Sequence, residues 1–160
     1  MSNPNNAQVV QPPNTLQQKV GGGRFSLDAD AIARAEAALK SLSGQFGQWL
    51  QDELDKLDVA RAGVLERGMT PETSEALYMR AHDLKGLGAT YEYPLVTRIA
   101  ASLCKLIDDP ATRCTAPVYL IDAHISAIKA AVRDEIRTDE HPVGRVLVEE
   151  LEDKTREYLQ

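Results

Sequence analysis

The segment LYMRAHDLKGLGATY, Leu77 to Tyr91, has a helical period and no strand alternation. At about 100° per residue, Leu77, Ala81, Leu84, Leu87, Gly88 and Tyr91 gather on one side. His82 falls roughly 120–140° from the centre of that stripe by the same spacing. Lys85 and Gly86 follow it by three and four residues and so share its face. Ala89 comes one turn later on that side, and Tyr78 and Met79 precede it. The segment predicts an amphipathic helix that packs its leucines inward and holds an imidazole toward solvent, with a cation and small residues beside it.

Working outward, Thr70-Pro71-Glu72 is a helix start: a capping hydroxyl, a proline in the first turn, then an acid at the positive end of the dipole. Pro94 opens the next helix, with Leu95, Ile99, Leu103, Leu106 and Ile107 as its buried stripe, and Asp108-Asp109-Pro110 ends it. Val118, Ile121, Ile125, Ile128, Val132 and Ile136 form another stripe. Upstream, Phe46, Trp49, Leu50, Leu54, Leu57, Val64 and Leu65 run to a C-terminal cap at Gly68. Before them, Ile32, Ala35, Leu39 and Leu42 recur at helical steps after Asp28 and Asp30, with a break or kink expected at Ser43-Gly44 and Gly47. Val143 to Tyr158 is charged with a narrow apolar face and reads as a peripheral helix.

No segment reads as strand, so the fold class is all-α. Four stripes joined by short links, at about 46–66, 71–91, 94–108 and 116–136, predict an antiparallel up-down-up-down four-helix bundle. The segments 28–42 and 143–158 would be extra N-terminal and C-terminal helices. Residues 1–24, rich in Asn, Gln, Pro and Gly and ending in Gly21-Gly22-Gly23, read as a disordered polar tail. The helical domain is then 25–160, with its core at about 45–136.

Composition narrows the function. With 24 acidic and 18 basic side chains the net charge is −6, which argues against nucleic acid as the main partner. No apolar run is long enough for a membrane span. The opening MSNPNNAQVVQPP lacks the charged start and apolar stretch of a signal peptide, and two cysteines, Cys104 and Cys114, make neither a disulfide framework nor a metal set. The expectation is a cytoplasmic protein with reduced thiols.

A helical histidine is most often structural or merely solvated. Here the apolar stripe excludes His82, Lys85 stands where its ammonium can neutralise charge placed on the ring, and Gly86 interrupts a helix at a cost of about 1 kcal/mol. Gly86 fits a need for space over the ring, whereas close helix packing is the better reading of Gly88. His124 and His141 lack neighbours at metal-ligand spacing. A Ser/His/Asp triad is left open by the sequence, but nothing resembles a nucleophile elbow. No glycine-rich phosphate loop occurs, so the chain is not expected to bind ATP.

Ala81-His82-Asp83-Leu84-Lys85-Gly86 closely resembles the signature of histidine-containing phosphotransfer (HPt) domains of two-component phosphorelays: His, any residue, Leu, Lys, Gly on an exposed face of a four-helix bundle. The resemblance implies that His82 is the phosphoacceptor, that Lys85 lies near the phosphoryl group and that Gly86 leaves room for it. It implies response-regulator receiver domains as partners, with a hybrid histidine kinase as a further one, and no cofactor in this chain, Mg²⁺ being supplied by the receiver. Tyr78, Met79, Asp83 and Ala89 around His82 would be the partner-binding surface. A free-standing phosphorelay protein of this kind is expected to be a monomer in a bacterial cytoplasm. The chain departs from the pattern at Glu92, where many family members have glycine, and this puts the turn between the two central helices in question.

Two rivals come from other classes. One is a helical adaptor or inhibitor without phosphotransfer, in which His82 is a surface residue. The other is a dimerisation fragment of a histidine kinase, which an oligomeric mass distinguishes. For Arg80, a place in a positive spot near His82 and simple solvation stand level.

Overall fold

A computed structural model describes residues 29–160, which form five α-helices, one 3-10 turn and no strand. The helices are α1 (Ala29–Arg67), α2 (Pro71–Leu87), α3 (Pro94–Leu106), α4 (Val118–Arg133) and α5 (Pro142–Leu159), with the 3-10 turn at Arg113–Thr115. The described residues fall into two units that divide between Ala38 and Leu39. The polar tail, Gly21-Gly22-Gly23 and the Asp28 start signal lie outside the described residues. Among these residues no helix is long and apolar enough to cross a membrane.

The start of α2 obeys its local chemistry. Thr70 caps the helix, accepting from the Thr73 amide at 3.2 Å, and the Thr73 hydroxyl accepts from the Thr70 amide at 2.9 Å. The reciprocal box satisfies donors that a helix N-terminus otherwise leaves open. Gly68 ends α1 with φ of +77°, its amide bonded to the Val64 carbonyl.

One core runs through the second unit. Leu50, Leu54, Leu57 and Val64 of α1 meet Leu77, Ala81 and Leu84 of α2, Ile99 and Leu103 of α3, and Ile121, Ile125 and Ile128 of α4. Polar and aromatic contacts fix neighbours at the edges. Phe46 and Trp49 sit 5.7 and 5.9 Å from the Tyr91 ring. Arg61 pairs with Asp122 at 2.7 Å and Lys129 with Asp58 at 2.6 Å, tying α1 to α4. Such half-exposed pairs fix register more than they stabilise.

Three expectations need correction. Ser43-Gly44 and Gly47 do not break the chain: α1 continues through them to Arg67. Each helical glycine costs about 1 kcal/mol, and the surrounding hydrogen-bond ladder carries that cost. Second, periodicity overstates burial: Ile32, Leu39 and Leu42, and also Trp49, Leu65 and Val118, are exposed. Third, the C-terminal segment is not peripheral. Val148 and Leu151 of α5 are buried, and a Cβ at Gly144 would stand 3.0 Å from Leu95 of α3.

The α3–α4–α5 interface also holds a polar network. His124 is fully buried, its Nδ1 at 2.7 Å from the Leu120 carbonyl and its Nε2 at 2.9 Å from Ser102 Oγ. Thr155 Oγ1 lies 3.1 Å from the same Ser102 oxygen. Nδ1–H donates to the carbonyl, Nε2 accepts from Ser102 and Ser102 accepts from Thr155, which satisfies each donor of this network. Burial holds the His124 pKa below its ordinary value. This histidine is structural.

Candidate functional site

His82 projects from the middle of α2 into solvent. Leu77, Ala81 and Leu84 are fully buried on the opposite side and lock the helix in that orientation. Among the described residues neither ring nitrogen has a hydrogen-bond partner. The Tyr78 ring lies nearby, its centroid 6.0 Å from that of the imidazole. A nucleophile held outward on a packed helix, with its nitrogens unengaged, has little to give up on meeting an electrophile.

The two glycines that follow have opposite reasons to be glycine. A Cβ at Gly86 would meet nothing within 4 Å. At Gly88 it would stand 2.7 Å from both the amide nitrogen and the hydroxyl of Thr97. Gly88 is in the right-handed helical region, with φ of −54°, so closeness to α3 alone demands glycine there. Thr97 uses that approach, its hydroxyl accepting from the Ala89 amide at 2.8 Å. Gly86 leaves an open surface one turn beyond His82.

Lys85 is half-buried on the side of α2 toward α3, close enough to Cys104 to bias that thiol's ionisation. Burial nevertheless pushes the Cys104 thiol up to about 11, which leaves it inert. Arg80 does not supply a second cation for His82: its guanidinium pairs with Asp83 at 3.3 Å. Asp83 is half-buried and engaged by that pair, whereas Met79, Gly86 and Ala89 are exposed around the imidazole. Tyr78 is half-buried, and its hydroxyl donates to Asp108 at 3.0 Å, which raises the phenol's pKa.

Glu92 occupies the turn with φ of +68°, a conformation that favours glycine. Its carboxylate accepts from Arg137 at 3.1 Å and from Ser43 at 3.3 Å. The turn therefore keeps a left-handed residue at this position, and the two contacts anchor the side chain that pays the strain.

Sequence reasoning missed Arg113. It lies under Tyr78, with its guanidinium carbon 4.7 Å from the ring centroid, and donates to the Asp108 carbonyl at 3.0 Å. No periodicity marks it, because it opens the short 3-10 turn, Arg113–Thr115, in the link between α3 and α4. Among the described residues no group of three or more His, Cys, Asp or Glu side chains gathers around one point. Comparison with family models, characterised proteins and solved structures finds no match for this chain.

Proposed function

We propose that this protein is a phosphorelay intermediate, accepting a phosphoryl group on His82 from a receiver-domain aspartate and passing it to another receiver. The observation that carries the reading is the exposed imidazole of His82, free of hydrogen bonds, beside the open surface at Gly86. The motif resemblance and the left-handed turn residue at Glu92 support it.

In this reading an unprotonated His82 nitrogen donates its electron pair to the phosphorus of the aspartyl phosphate. A P–N bond forms, the P–O bond to the carboxylate breaks, and the carboxylate leaves with the electron pair. Lys85 supplies positive charge near the phosphoryl oxygens, and Gly86 gives the group room. Mg²⁺ belongs to the receiver, and this chain holds no cofactor. Tyr78, Met79 and Ala89 form the docking rim, and Asp83 shapes it by holding Arg80.

The fold reading behind this is an antiparallel up-down-up-down four-helix bundle of α1 to α4, with α5 seated against α3 and α4. Side-chain contacts support it: Phe46 of α1 meets Tyr91 in the turn after α2, and Gly63 of α1 approaches Thr73 at the start of α2. Correspondingly, Ala89 just past α2 bonds Thr97 near the start of α3, and Tyr78 of α2 bonds Asp108 just past the end of α3.

The test incubates the protein with receivers carrying radiolabelled aspartyl phosphate and Mg²⁺, beside a His82→Gln version. Acid-labile, base-stable label on the wild type alone supports the reading. Label on neither, across a panel of receivers, favours the adaptor. Equal label on both places the chemistry at another residue.

A further inference from the structure

Next to the His82 face a cleft of about 310 Å³ opens between α2 and the link before α4. Ser74, Glu75, Tyr78, Met79, Pro110 and Arg113 line it, with Glu75 exposed and Arg113 buried. Along the helix axis, Tyr78 and Glu75 are roughly 6 and 10 Å from His82, at 1.5 Å per residue. The opening therefore lies one to two turns from His82 along the same helix.

Arg113 is 8% exposed, yet no carboxylate lies within ion-pair distance of it among the described residues. One Nη donates to the Asp108 carbonyl, and the guanidinium stacks under Tyr78. Its Nε–H is buried without a partner. The nearby Asp108 carboxylate instead accepts from the Tyr78 hydroxyl. A buried guanidinium with an unmet donor and no counter-ion is costly, and an incoming anion removes that cost. Two lining side chains are mobile in kind: Met79 is 51% exposed and Glu75 is exposed, so their ends can yield to a ligand.

We propose that this cleft is a carboxylate-binding pocket that takes an acidic side chain of the partner docking over His82. The identity of that partner as a receiver rests on the function proposed above; the pocket chemistry does not. A carboxylate suits the Arg113 guanidinium, whose uncompensated charge it would meet from the cleft. The apolar walls of Tyr78, Met79 and Pro110 cover the stem of an aspartate or glutamate. Glu75 in the lining opposes the incoming charge and so sets the affinity and its salt dependence.

The test follows the arginine Nε–H resonances of the ¹⁵N-labelled full chain, with Arg113 assigned by loss of its signal in Arg113→Lys. Titrants are sodium acetate and, separately, inorganic phosphate. The proposal expects a saturable acetate shift at Arg113, severalfold tighter binding in Glu75→Gln, and weaker binding of phosphate. It expects the acetate response to persist in His82→Gln. No saturable acetate shift in wild type or Glu75→Gln overturns it, as does phosphate binding equal to acetate. If the Lys variant does not fold, Arg113 is assigned by through-bond correlation in the ¹⁵N,¹³C-labelled wild type, and Glu75→Gln and wild type then decide the matter. For receivers that label the wild type, Arg113→Lys should raise the apparent KM at least about tenfold with kcat little changed. An unchanged KM overturns the docking role even if acetate binds. Failure of every receiver to label the wild type counts against the phosphotransfer reading, whatever acetate does.

Discussion

Replacing Gly86 and Gly88 with alanine, one at a time, should move stability in opposite directions. At Gly86 the added methyl meets nothing within 4 Å and the site lies inside α2. Relief of backbone entropy should then stabilise the protein by about 0.5–1 kcal/mol. At Gly88 the same methyl would stand 2.7 Å from the Thr97 amide nitrogen, an atom that moves only with the backbone of α3. Overpacking of this kind costs about 1–3 kcal/mol. Displacing Thr97 also weakens the 2.8 Å hydrogen bond it accepts from Ala89, worth about 1 kcal/mol. Against the gain in helix propensity, the net loss should be about 2 kcal/mol. For a chain of this size that is roughly 6 °C in Tm, with a rise of about 2 °C for Gly86→Ala. Urea unfolding followed by circular dichroism reads both, provided the slope is unchanged. Equal effects, or a Gly86→Ala variant less stable than Gly88→Ala, would refute the assignment of open space to one glycine and close packing to the other.

Other expectations follow from single sites. Gly86→Gln should fold with near wild-type stability yet slow transfer at least about tenfold, because a long side chain fills the approach to His82; stopped-time transfer assays read it. Thr70→Ala removes half of the capping box and should cost about 1 kcal/mol in urea unfolding. His124 is buried neutral with its pKa held below the ordinary 6.5, so the unfolded chain binds the extra proton first as pH falls. Stability should therefore decline below about pH 6.5, with a slope of up to about 1.4 kcal/mol per pH unit until the folded pKa is reached. His124→Gln should flatten that slope, and an unchanged slope would contradict the origin given. Native alkylation should spare Cys104, which is 5% exposed with its thiol pushed up to about 11, until the protein is unfolded; mass spectrometry after iodoacetamide checks it.

The sequence was most readable where one residue type has one physical use. Thr70-Pro71, Gly68, Pro94 and the inward leucines around His82 all fall where capping rules and a 3.6-residue period put them. It misled where a signal has two uses. Gly44 and Gly47 resemble breakers, but inside a long run of helix formers they are only weak points. The N-terminal apolar steps at Ile32, Leu39 and Leu42 look like a core face because periodicity reports amphipathicity, not what covers it. For α5, a narrow stripe was read as peripheral, although Gly144, Val148 and Thr155 make a tight seam with α3 and α4. Within the site, His82, Gly86, Met79 and Ala89 could be placed from one helical face. Arg113 and the Asp108–Tyr78 bond could not, since they depend on how a loop folds back against α2.

The central claim is that the phosphoryl group resides on His82. The most direct measurement labels the protein from a phosphorylated receiver, digests it at alkaline pH and maps the phosphopeptide by mass spectrometry. The chain has three histidines, so the assignment discriminates. The account predicts phosphate on His82 and none on buried His124 or on His141. Phosphate on either of those, or a chain that takes none from any receiver, would contradict it.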